Sequence, residues 1–359
     1  MKKKFLLILA IIMVLTACGT LEQTVGHPTA GSPTLEPSPK TNGKVLLGVY
    51  PSGFIRYYGY EIEEFEDWME PTGRKISIAG TFMDFEDPDL LRLVPAEMEA
   101  AWSRGYIPFV NLSAGNLDTA WSAEAIAAGE LDPAIRIWAR AFARWAGESE
   151  KKALIAPLQE MNGTWTSYGG DPEMFKQAFL HIKELFAEEG VGREDVSWVF
   201  APNGWSERGH EFERYYPGDG EVDLVGFNSF NFGTCSPWPA WETYPEIYQP
   251  YLDRMREMAP DKPIVITSLG TVAQGGDKDQ WLSETYQAFA AYPNLRAVIY
   301  FNREEFRDTL SGCDKHGDYR IYDPEEEIAY PGFLEGISHP GFVYYPPEGE
   351  RMEALIFSP

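Results

Sequence analysis

The chain has 359 residues, with 55 acidic side chains against 30 basic ones and a formal net charge of −25. A balance that acidic argues against nucleic acid or anionic lipid headgroups as partners and is compatible with a neutral ligand. Five histidines without ligand spacing argue against a dedicated metal site, and three cysteines are too few for a disulfide scaffold.

In chain order, Lys2, Lys3 and Lys4, an apolar run from Phe5 to Leu15 and then Thr16-Ala17-Cys18 read as a signal peptide over residues 1–17. The run is too short to persist as a membrane span. A cysteine at the first mature position is the bacterial lipobox arrangement. It predicts lipidation at Cys18 and a membrane-anchored lipoprotein at the bacterial cell surface. Residues 18–43 are rich in Pro, Ser, Thr and Gly. They cannot bury enough apolar surface to offset their ordering entropy and read as a linker. Cys235 and Cys313 remain, and the sequence leaves open whether they pair.

Residues 44–359 read as one domain. Strand candidates fall at Lys44–Tyr50, Lys75–Phe85, Tyr106–Ala114, Ala153–Glu160, Val196–Asn203, Val222–Asn231, Pro263–Gly270 and Leu295–Asn302. Several are apolar without alternation, as parallel strands covered on both faces should be. Helical spacing marks Asp132–Trp145, Pro172–Glu188, Tyr248–Met258 and Lys278–Tyr292, with Asp132-Pro133 as a cap and first-turn signal. Eight strands alternating with helices predict a (β/α)8 TIM barrel, whose chemistry sits where the strands end. The tail from Asp314 reads as a strap over the barrel.

The most informative strand end is Gln159-Glu160-Met161-Asn162-Gly163-Thr164-Trp165. A carboxylate there, with Met161 and Trp165 as apolar neighbours, suits a general acid; a Glu that merely caps the next helix is an equal reading of the local sequence. Trp165, Tyr168, Trp205, Tyr215, Tyr216, Trp238 and Trp241 follow strands four, five and six. Flat rings suit pyranose faces and Asn162, Asn203 and Asn228 suit hydroxyls, with roughly half the rings left to plain packing.

These runs, with VSWVFAPNGW, YYPGDGEVDLVGFNSFN, KPIVITSLGT, KDQW and AVIYFN, resemble glycoside hydrolase family 26 over roughly residues 45 to 320. Its best-known members are endo-β-1,4-mannanases. The resemblance implies a barrel with retaining chemistry, Glu160 as acid/base, and a Glu ending strand seven as nucleophile. It also implies contacts to a β-linked polysaccharide from Trp165, Tyr168, Asn203, Trp205, Tyr216, Asn228, Phe230 and Trp238, with no cofactor or metal and a monomeric chain. Three positions depart from the pattern. Ser268 stands at the nucleophile position, fixed in register by Pro263, Gly270 and Trp281. Phe230 stands where the family has a Tyr that serves the nucleophile. Gln159 stands where many relatives have His.

Retention needs two carboxylates about 5–5.5 Å apart, and a serine hydroxyl neither stabilises an oxocarbenium-like charge nor attacks without a base. Asp84, Glu86 and Asp277 are the carboxylates the sequence offers for an inverting route. Two readings follow: a glycoside hydrolase acting on β-mannan or a related β-glucan, and a glycan-binding pseudoenzyme.

Overall fold

The computed structural model describes residues 45–51, 58–115, 120–147, 151–235, 240–306 and 316–343. The signal peptide, Cys18, the linker, Trp238 and Cys313 lie outside them. Eight strands carry the architecture: β1 (Val45–Tyr50), β2 (Ile78–Asp84), β3 (Ile107–Ser113), β4 (Ala153–Pro157), β5 (Val196–Phe200), β6 (Leu224–Asn231), β7 (Ile264–Thr271) and β8 (Leu295–Phe301). They pair in parallel in sequence order. β8 pairs back onto β1, from Leu46 beside Ala297 to Tyr50 beside Phe301, and closes a (β/α)8 barrel. Between strands lie α1 (Tyr58–Met69), α2 (Leu90–Trp102), α3 (Ala123–Ala127), α4 (Asp132–Ala146), α5 (Pro172–Glu188), α6 (Tyr244–Ile247), α7 (Gln249–Met258) and α8 (Lys278–Ala291).

Strand side chains alternate between two apolar clusters, so their sequences do not alternate with polar residues. Leu46, Tyr50, Ile78, Phe109, Val265 and Ile299 fill the barrel. Val45, Leu47 and Val49 face the other way and meet helix residues such as Trp138, Phe179 and Leu282. In α4 the predicted stripe of Ile135, Trp138, Phe142 and Trp145 is buried, but Asp132 does not cap it. The cap position is Leu131, and the Asp132 carboxylate instead meets His181 Nε2 at 2.7 Å, tying α4 to α5. The Tyr248–Met258 stretch begins earlier and is broken. α6 starts from a Thr243–Glu246 capping box, and Pro250 in the first turn of α7 supplies no N–H to continue the earlier turn. Cys235 is disulfide-bonded.

After β8 the chain adds β9 (Glu304–Phe306), β10 (His316–Asp318), β11 (Tyr322–Asp323), β12 (Ile328–Ala329), α9 (Pro331–Ile337) and β13 (Phe342–Val343), the last paired with β1. The strap is fastened by two buried basic side chains. The Arg320 guanidinium bonds Asp318, Asp323 and Glu326. Lys278, 3% exposed at the start of α8, donates to the Asp318 and Arg320 carbonyl oxygens at 3.3 and 2.8 Å. The Tyr330 ring lies 4.6 Å from its Nζ. Burial pushes the Lys278 ammonium down to about 7, against the pull of Asp318 and Asp279 and with help from Arg320.

A lysine released by unfolding recovers its ordinary value of 10.5. Between those two values the unfolded chain holds a proton that the folded chain lacks, so this group makes stability rise with pH. Urea midpoints taken from about pH 7 to about pH 9 should therefore climb in the wild type relative to Lys278→Met. Parallel curves for the two proteins would refute the assignment.

Candidate active site

Strand β4 stops at Pro157, three residues before Glu160. Leu158 and Glu160 both take left-handed backbone, with φ of 54° and 56°. That conformation costs a non-glycine residue about 1–3 kcal/mol and persists where surrounding contacts over-determine it. Here the Glu160 N–H bonds the Ala201 carbonyl at 2.9 Å, and the Gly163 N–H bonds the Glu160 carbonyl at 2.8 Å. The turn aims the carboxylate across β5 and β6. Oε1 accepts from Asn203 Nδ2 and Asn228 Nδ2, both at 3.1 Å. Oε2 accepts from Trp165 Nε1 at 2.8 Å. Among the described residues Glu160 caps no helix; Asp171 caps α5 by accepting from the Glu173 and Met174 N–H groups.

The apolar pocket foreseen around Glu160 is thus a cradle of three N–H donors. Met161 is buried in the outer core, and Trp165 presents its polar edge. Glycine permits this, because a Cβ on Gly163 would sit 2.3 Å from the Trp165 ring. Asn162, 1% exposed, locks the turn to the β5 loop: its Nδ2 donates to the Asn203 carbonyl and its Oδ1 accepts the Asn203 N–H, both at 2.8 Å. Asn203 Oδ1 accepts the Trp205 N–H at 3.0 Å, which leaves its Nδ2 for Glu160. Asn228 is held likewise, its Oδ1 accepting the Thr267 hydroxyl at 2.7 Å.

The other candidates divide. Trp205 stacks on Trp165, ring centres 6.3 Å apart and planes 16° from parallel, and is 48% exposed. The two indoles form an apolar platform leading from Glu160 to solvent. Tyr168 is buried beneath, its hydroxyl donating to the Gln159 carbonyl at 3.0 Å; burial pushes its phenol up, and the charges of Glu160 and Asp84 add to the rise. Tyr216 lies apart, packed on Phe200 on the outer face of β5 and bonded to Asp219. Tyr215 is fully buried against Phe175. Trp241 packs where a Cβ on Gly276 would fall 2.2 Å from its ring.

Ser268 sits on β7 directly beside Asn228, 1% exposed, and its Oγ has no hydrogen-bond partner among the described residues. Phe230 meets Tyr319 and Phe301 at 5.3 and 5.6 Å between ring centres and presents no polar atom to strand seven. Each carboxylate suggested for an inverting route has a local partner. Asp84 accepts the Glu86 N–H, Glu86 accepts the Trp121 indole N–H, and Asp277 caps α8. Sequence reading missed Thr267, which no spacing rule singles out.

Barrel and site together define a (β/α)8 fold with a cradled carboxylate just past the end of strand β4. Residues 139–269, which span both Glu160 and Ser268, match glycosyl hydrolase family 26. Endoglucanase H of Acetivibrio thermocellus is 25% identical over 307 residues, covering 79% of this chain and 30% of that protein, so the chain spans under a third of that relative's length. An endo-β-1,4-mannanase double mutant from Cellulomonas fimi shares the fold with a TM-score of 0.61 at 17% identity, over 84% of this chain and 72% of that one. A family 26 β-mannanase from Bacteroides ovatus gives 0.55 at 16% identity, over 87% and 94%. The resemblance to glycoside hydrolase family 26 therefore holds by sequence across the site and by fold across the barrel.

Because Asn162 satisfies both backbone polar groups of Asn203, Asn162→Ala should destabilise the protein by about 1–3 kcal/mol in urea unfolding. An unchanged midpoint would show that water replaces both bonds.

Proposed function

We propose that this chain is a cell-surface, glycoside hydrolase-like protein that binds a β-linked polysaccharide, β-mannan or a related β-glucan, in the cleft around Glu160. We further propose that it holds this glycan without cleaving it by the retaining route. One observation carries the reading: Glu160 is cradled by three N–H donors beside an exposed indole platform, whereas the hydroxyl at the nucleophile position is buried and has no partner among the described residues. A retaining glycosidase needs a second carboxylate close to the first, and serine supplies none. The Trp165–Trp205 platform supports glycan binding, since indole faces match the apolar faces of pyranose rings.

Hydrolysis by another base is the second reading. It is favoured by the place of Asp84, a buried carboxylate at the C-terminal end of β2. An inverting enzyme would use Glu160 as acid and such a group to activate water. Reducing-end release from mannan and mixed-linkage glucan decides between the two readings. Silence in the wild type with turnover in Ser268→Glu supports the binding reading. Wild-type turnover abolished by Glu160→Gln overturns it.

The surface location rests on the lipobox alone. Cys18→Ser should move the protein from the membrane fraction to the soluble fraction, and retention of the variant in the membrane would overturn lipid anchoring.

A further inference from the structure

Glu160 receives two of its three donors from amide side chains, and an amide is nearly symmetric in shape. Rotated half a turn, Asn228 would present Oδ1 instead of Nδ2 to the carboxylate, replacing attraction with repulsion between two acceptors. What fixes the amide therefore fixes the cradle. Asn203 is fixed by its own loop, through the Trp205 N–H. Asn228 has two side-chain contacts besides Glu160: Gln159 Oε1 at 3.5 Å, at the limit of a hydrogen bond, and the Thr267 hydroxyl at 2.7 Å. The second is the strong one.

Thr267 reaches Asn228 because β7 is irregular at that point. Phe227 pairs with Ile266 and Asn228 pairs with Ser268, so Thr267 is the extra residue of a bulge. Ile266 and Leu269 both pack outward against the helices, which leaves Thr267 and Ser268 between two outward residues where strict alternation allows one. Thr267 is fully buried. Its carbonyl accepts the Tyr50 hydroxyl at 2.6 Å, and Tyr50 in turn accepts from Asn111 Nδ2 at 2.6 Å. Strands β1 and β3 thus hold the bulge, the bulge aims the Thr267 hydroxyl, and the hydroxyl orients Asn228.

We infer that Thr267 is a positioning residue of this site, acting on Glu160 through the side-chain amide of Asn228. The inference rests on the reading of Glu160 as the working carboxylate of a glycan cleft. Its chemistry is particular to a hydroxyl: Thr267→Val keeps the shape and burial but removes the donor, while Thr267→Ser keeps the donor. A purely structural role would follow shape, and a positioning role follows the hydroxyl.

The test places both changes in Ser268→Glu, where turnover on mannan can be read, and in the wild type, where affinity for mannohexaose is read by calorimetry. A positioned general acid contributes on the order of 10²–10⁴-fold to rate, so a misaimed one should lower kcat by about tenfold or more. In Ser268→Glu, Thr267→Val should lower kcat by about that factor with KM little changed, and Thr267→Ser should restore it. Equal kcat for the Val and Ser versions, or a loss that tracks melting temperature in both, overturns the inference while leaving glycan binding intact. Should Ser268→Glu show no turnover, the wild-type background decides: weaker mannohexaose binding in Thr267→Val but not in Thr267→Ser supports the role, and equal binding in all three overturns it. Absence of any mannohexaose binding in the wild type instead sinks the reading of the cleft on which the inference stands.

Discussion

One carboxylate and its three N–H donors organise the working end of this barrel. Glu160 sits on left-handed backbone, a conformation that must be held from outside. The Ala201 carbonyl, the Asn162–Asn203 pair and the folded-back Trp165 hold it, and each depends on the next strand being in place. The cradle is therefore a product of closure: β4 supplies the turn, β5 and β6 supply the amides, and β7 orients one of them through Thr267. A donor set aimed in advance at one carboxylate is what pre-organisation means in a site of this kind.

The neighbouring position on β7 has none of this support. Ser268 adjoins Asn228 in register, yet its hydroxyl meets no partner among the described residues, and Phe230 offers only an apolar ring to strand seven. Buried polar groups are ordinarily hydrogen-bonded, so an orphan hydroxyl beside the three-donor cradle marks a difference in constraint between the two halves of the site. The Glu160 half holds its carboxylate with three N–H donors. The Ser268 half carries a hydroxyl where the family resemblance implies a carboxylate, and Phe230 has no hydroxyl to offer it.

Much of this was legible in the sequence. Apolar runs such as ALIAPL and LRAVIYF located all eight strands, because strands buried on both faces read as continuous hydrophobic stretches. The turn around Glu160 was visible through Gly163 and Trp165, but its chemistry was read wrongly: an indole counted as apolar contributes its N–H. Sequence likewise could not separate exposed rings from packed ones. Trp205 and Tyr216 occupy similar loop positions, yet one lies on the platform and the other against Phe200. Thr267 was out of reach for a different reason. A β-bulge shifts register by one residue without a compositional mark, and only the pairing of β6 with β7 shows which residue is the extra one. Asp132 shows the same limit at a helix start, where a plausible cap was drawn into a contact with His181 from another helix.

The central claim is that the cleft binds a β-glycan and that, with serine at position 268, the glycan leaves as it entered. The most direct measurement is to form a stoichiometric complex of the wild-type protein with mannohexaose, establish binding by calorimetry, hold it through a long incubation and recover the sugar by chromatography. Saturable binding with recovery of intact hexasaccharide is the predicted result. Recovery of shorter products from the wild type, absent with Glu160→Gln, would contradict it.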